Sequence, residues 1–133
     1  MINTFIDRLH AISTNSEPFK LTPDRIGIFG SKNQPRVLWF GFQPHPLITK
    51  LHQLIDVEFS RMGFEKETKK FMPHLTFGRV KQIIEQEELI NFLQHPGQIN
   101  IKDFPVSTFQ LYRSILKSHG PEYHVLEDFR LGY

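Results

Sequence analysis

Cysteine is absent from the 133-residue chain, which excludes disulfides and thiolate metal sites and fits a reducing, cytoplasmic setting. Long apolar runs are missing too. The longest, Val37 to Phe42, falls far short of the ~20 residues that span a bilayer, so no membrane partner is expected. The first residues, Met1-Ile2-Asn3-Thr4-Phe5-Ile6-Asp7-Arg8, show no basic segment, apolar stretch and small-residue cleavage site, so no secretory signal is visible. Nor is there a large charge excess: 16 Lys and Arg against 14 Asp and Glu leave +2, which permits phosphate binding without the character of a polyelectrolyte. Tryptophan is reduced to a single residue, Trp39, whereas phenylalanine reaches thirteen. Most of those rings must be core.

A chain of this length supports one core and not two, so residues 1–133 are expected to form a single domain. Ile2, Phe5, Ile6, Leu9 and Ile12 recur at helical spacing from the first residue, with no capping residue ahead of them. An uncapped opening helix raises the expectation that the natural chain starts upstream of Met1. Phe19 to Leu21 and Arg25 to Phe29 alternate at period two, and a turn at Gly30 to Pro35 leads into a further strand, Arg36 to Phe42. From Pro46 the stripe Leu47, Ile48, Leu51, Leu54, Ile55, Phe59 and Met62 predicts a helix closed by Gly63. A strand over Pro73 to Val80, a short helix over Ile83 to Leu93, and strands over Phe104 to Leu116 and Tyr123 to Leu131 complete the chain. Several connections are too short for parallel crossovers, so the class is α+β with mostly antiparallel sheets and flanking helices.

Pro73-His74-Leu75-Thr76-Phe77-Gly78-Arg79 carries the chemistry. Residues i and i+2 of a strand share a face, so His74 and Thr76 project together while Leu75 and Phe77 enter an opposite, apolar face. An imidazole can move a proton near neutrality, and a hydroxyl beside it can donate to a phosphate oxygen. The pair is also what the polar face of any ordinary strand can present.

Together with Arg36-Val37-Leu38-Trp39-Phe40-Gly41 upstream, and Leu111-Tyr112-Arg113-Ser114 and Gly120-Pro121-Glu122-Tyr123 downstream, this segment resembles the C-terminal two-thirds of the bacterial and archaeal RNA 2′,3′-cyclic phosphodiesterases. These were long called 2′-5′ RNA ligases and belong to the two-histidine phosphoesterase superfamily. The resemblance implies a bilobal α+β fold whose lobes each supply one His-x-Thr or His-x-Ser motif to a cleft, without metal or other cofactor. It implies His74 and Thr76 as catalytic residues and Arg79 beside the substrate phosphate. Strand parity sets Arg79 opposite His74, so that role requires the pleat to break near Gly78.

The family's first motif has no counterpart in this chain. His10, His45, His52, His95, His119 and His124 are each followed by a pattern other than His-x-Thr or His-x-Ser. The fold is therefore expected to lack its N-terminal strand or strands, which would bare a sheet edge and the helix face of Phe5, Ile6 and Leu9 and favour self-association. His45 and His52 sit two turns apart on one helix, a poor metal spacing, and read as solvated. Trp39 and Tyr112 read as core. Lys66, Lys69 and Lys70 could attract an RNA backbone or simply solvate a linker. Two functions follow: a metal-independent hydrolase opening RNA 2′,3′-cyclic phosphate ends, with 2′-5′ ligation in reverse, or a noncatalytic nucleotide- or RNA-binding module that keeps one anion-binding cluster.

Overall fold

The computed structural model describes residues 2–30, 35–79, 88, 91 and 101–132. Its elements in chain order are α1 (Ile2–Thr14), β1 (Phe19–Leu21), β2 (Pro23–Gly30), β3 (Pro35–Phe42), α2 (Pro46–Arg61), β4 (His74–Arg79), β5 (Phe104–Val106), β6 (Thr108–Lys117) and β7 (Gly120–Arg130). All strand pairs in the two larger sheets are antiparallel, so the class is α+β as the short connections require. Most of the turn expected at residues 30–35 and most of the helix expected over 83–93 lie outside the described residues. The chain divides into two compact units, each assembled from separate segments.

The first unit holds residues 1–20, 45–70 and 105–133, and thus α1, α2 and the β6–β7 hairpin. The three- and four-residue spacing of α1 sets Phe5 and Leu9 one above the other, where they pack with the fully buried Phe129 of β7. Phe59 of α2 meets Phe5 edge-on at 4.9 Å, and Phe109 of β6 stacks on Phe129 at 4.7 Å. The helix face that was expected to be bare is therefore covered by α2 and β7. Large exposed apolar residues of this unit include Leu116, Tyr123, Val125 and Leu126 on the hairpin, and Ile2 and Phe64 by the helices.

Pro46 opens α2 at a position that needs no N–H, and Gly63 follows its end at φ +100°, a conformation that favours glycine. His45 is not merely solvated. Its Nδ1 accepts a hydrogen bond from Leu47 N at 3.1 Å as the helix N-cap, and its ring stacks on Phe19 at 5.2 Å. Tyr112 is not core: it is 49% exposed, on the side of β6 away from Phe109 and Leu111, where its hydroxyl donates to Gln110 Oε1. The strand expected over 104–116 is interrupted at Ser107, whose carbonyl accepts from Leu131 N at 2.9 Å.

The second unit holds residues 21–44 and 71–104, and its sheet runs β2-β3-β4. Trp39 is buried in it, at 8% exposure, as is Phe42 at 7%. Ile26, Ile28, Leu38, Phe40 and Leu75 form the opposite, apolar face. That face exists as expected, but Leu75 and Phe77 remain 43% and 45% exposed, with Phe77 stacked on Phe40 at 4.4 Å.

Replacing Phe129 with Ala is expected to lower the unfolding free energy by about 3–5 kcal/mol, because the ring is wholly enclosed and its loss leaves a cavity between α1 and β7. Denaturant unfolding measures it, and a loss below about 1 kcal/mol would contradict the packing described.

Candidate active site

β3 is the central strand and fixes which side chains share a face. Its alternate residues Val37, Trp39 and Gly41 pair across to β4 with Arg79, Thr76 and His74. Cross-strand partners point the same way, so all three β4 residues stand on one face of the sheet. For His74 and Thr76 this is the ordinary period of two. Arg79 is five positions from His74 and would face away in a regular strand. The register shifts where Leu38 pairs with Gly78 and Trp39 with Thr76, leaving Phe77 as the extra residue of a bulge. One added residue inverts parity, and Arg79 returns to the His74 side. This is the break near Gly78 that a phosphate role for Arg79 requires.

All three side chains are exposed. His74 Nδ1 lies 3.0 Å from the Met72 carbonyl, which can only accept, so Nδ1 carries the proton and a neutral ring keeps its lone pair on Nε2. The imidazole leans edge-on against Phe29 at 5.2 Å and Trp39 at 5.9 Å. These contacts and the Met72 carbonyl hold the ring from three sides. A fixed tautomer with an available Nε2 is what a general base needs, and a hydroxyl two residues away can donate to an anion at the same place.

Glycine permits this arrangement. Gly27 pairs with Trp39, and a Cβ on Gly27 would come within 2.1–2.5 Å of the indole, which therefore lies flat on the β2 backbone. The Trp39 Nε1–H is buried without a hydrogen-bond partner among the described residues, so packing on Phe29, His74 and the Gly27 backbone seats the indole. Phe29 and the Met72 carbonyl were not singled out from the sequence. Gly27 and Gly41, each inside a strand, were the available signal, since glycine within a strand marks a close approach.

Lys66, Lys69 and Lys70 belong to the first unit and are exposed; Lys69 N donates to Glu67 Oε1 at 3.0 Å. No group of three or more His, Asp or Glu side chains suited to a metal ion occurs among the described residues. No helix among them is long and apolar enough to cross a membrane.

A family profile described as the 2′-5′ RNA ligase superfamily matches residues 2–116. The chain is 33% identical over 113 residues to an RNA 2′,3′-cyclic phosphodiesterase of Methanocaldococcus jannaschii, covering 85% of this chain and 64% of that one. It is 37% identical over 109 residues to an RNA 2′,3′-cyclic phosphodiesterase of Thermotoga maritima, covering 81% and 56%. It thus spans roughly three-fifths of the length of these curated relatives. Among solved structures, a Thermus thermophilus protein superposes with TM-score 0.70 at 23% identity, over 98% of this chain and 70% of that one. The E. coli LigT structure in complex with 3′-AMP gives 0.62 at 22%, over 98% and 68%. These structures share the fold.

Gly27→Ala is expected to unseat the Trp39 indole, costing about 1–3 kcal/mol as overpacking and shifting the emission of this sole tryptophan. Unchanged unfolding and emission would show that the ring is not seated on Gly27.

Proposed function

Since the chain belongs to the 2′-5′ RNA ligase superfamily, we propose that its β4 face acts on RNA ends bearing a 2′,3′-cyclic phosphate, opening the ring with water to a 2′-phosphomonoester. The observation that carries this reading is the common face of His74, Thr76 and Arg79, with His74 Nε2 left as the acceptor. His74 takes a proton from the attacking water as its oxygen bonds to phosphorus. The bond from phosphorus to the 3′ oxygen breaks, and that oxygen must receive a proton from a second, charged imidazole. Thr76 Oγ1 and the Arg79 guanidinium hold the nonbridging oxygens where negative charge gathers.

Hydroxyl and guanidinium perform the charge stabilisation here, so the reaction proceeds without a metal or other cofactor. A chain without cysteine suits cytoplasmic RNA processing. With a 5′ hydroxyl attacking in place of water, the same groups would join it to the 2′,3′-cyclic end as a 2′-5′ linkage, His74 taking the proton of the attacking hydroxyl and the 3′ oxygen leaving as before; the acid and base labels exchange only when such a linkage is cleaved back to the cyclic end.

The 133 residues contain a single His-x-Thr motif. Proton abstraction and leaving-group protonation fall on opposite sides of an in-line displacement, so one imidazole does not readily serve both. This chain alone is therefore expected to bind a cyclic phosphate and turn it over slowly, and a form extended to a second such motif to turn it over faster. On an oligonucleotide with a 2′,3′-cyclic end, His74→Ala in the faster form should lose about 10²–10⁴-fold in turnover, whereas His52→Ala should not. Retained activity in His74→Ala with loss in His52→Ala would refute the assignment.

Exhaustive chelation should leave the rate unchanged. A chelator-sensitive rate restored by zinc or manganese would overturn metal independence.

A further inference from the structure

Arg25 reaches the His74 face by the same device that turns Arg79. Pro23 pairs with Phe42 and Arg25 with Gly41, so Asp24 is the extra residue of a second bulge. Without it Arg25 would share the Pro23 side; with it, Arg25 shares the side of Gly41 and hence of His74. Arg25, Gly41 and His74 are therefore consecutive positions of one row across three strands. A Cβ on Gly41 would lie 2.7–2.8 Å from Arg25 Cζ, Nε and Cγ. The arginine side chain thus lies over the central strand, in the gap between its own position and that of His74.

It is held there. Nη1 donates to Asp24 Oδ1 at 2.7 Å and to the Phe42 carbonyl at 3.1 Å. A guanidinium has five N–H donors in a planar fork, so two bonds from one nitrogen fix its orientation without exhausting its capacity. Arg25 is level with His74, while Arg79 lies four pairings further along, beyond Thr76, ~13 Å down the strand. The two arginines therefore stand at either end of the His74–Thr76 pair.

We propose that Arg25 is a phosphate-contacting residue of this face, donating to anionic oxygens of the substrate on the β2 side of His74. The proposal rests on the reading of the β4 face as a cyclic-phosphate site. The shared chemistry is a phosphate oxygen, supplied either by the cyclic end itself or by the diester that precedes it in an RNA strand.

Binding of 2′,3′-cyclic AMP, and of a diadenosine with a 2′,3′-cyclic end, can be followed through Trp39, the only tryptophan, in the 133-residue chain. Arg25→Gln is expected to weaken binding about ten- to a hundredfold, the range for a charge-assisted hydrogen bond. Equal loss for both probes assigns the contact to the cyclic phosphate, and loss for the dinucleotide alone assigns it to the preceding diester. Gly41→Ala, which displaces the arginine, should weaken binding in the same direction and add little in the Arg25→Gln background. A measurement on the unaltered chain guards against misfolding of the variants: 2′,3′-cyclic AMP or the dinucleotide should protect Arg25 from an arginine-selective dicarbonyl reagent, read by peptide mass. If His74→Ala weakens binding while Arg25→Gln keeps full affinity, or if Arg25 is modified equally with and without both probes, the role of Arg25 is overturned and the proposed function stands. If neither probe binds, or His74→Ala binds as tightly as the parent, the proposed function falls and the role of Arg25 with it.

Discussion

The strict two-residue alternation of a β-strand governs the candidate site. In the proposed site, whatever faces a phosphate must stand on the same side of β3 as Val37, Trp39 and Gly41, and any residue at odd spacing is turned away unless an extra residue enters the ladder. His74 and Thr76 comply by spacing alone. Arg79 complies through the bulge at Phe77, and Arg25 faces the same side through the bulge at Asp24. Bulges cost ladder hydrogen bonds, and these two each lie within two residues of an arginine that they turn to a single face.

Placement is then made firm by packing of unequal residues. Two glycines on adjacent strands leave room for two large side chains to lie flat: the Trp39 indole on Gly27 and the Arg25 stem on Gly41. His74 is braced by the indole and Phe29, and its tautomer is set by the Met72 carbonyl. The proposed chemistry thus depends on backbone features, a carbonyl, two bulges and two glycines, as much as on the side chains assigned to it. The first unit draws its stability from a different source, the enclosed Phe5–Leu9–Phe129 cluster between its helices and hairpin.

Much of this was legible in the sequence. The Leu47–Leu51–Ile55–Phe59 stripe between Pro46 and Gly63 contains both the period and the boundaries of α2, and the His74-x-Thr76 spacing contains its own geometry. What escaped depends on partners distant along the chain. His45 stacks on Phe19 as well as capping α2, and α1 is covered by β7 from the far end of the chain. The bulge beside Gly78 could be named as a requirement, but a register is a property of two strands, so one strand's sequence could not supply it. Asp24 carries no such flag, and Arg25 went unnoticed for that reason.

On the proposed reading, a substrate phosphate rests on the Val37–Trp39–Gly41 side of the sheet, over Thr76. A crystal structure of the chain with bound 2′,3′-cyclic AMP tests this most directly. The expected result is a phosphate accepting from Thr76 Oγ1, with His74 Nε2 facing it and Arg79 at its flank. A phosphate held on the Leu75–Phe40 side, or away from β4 altogether, would contradict it.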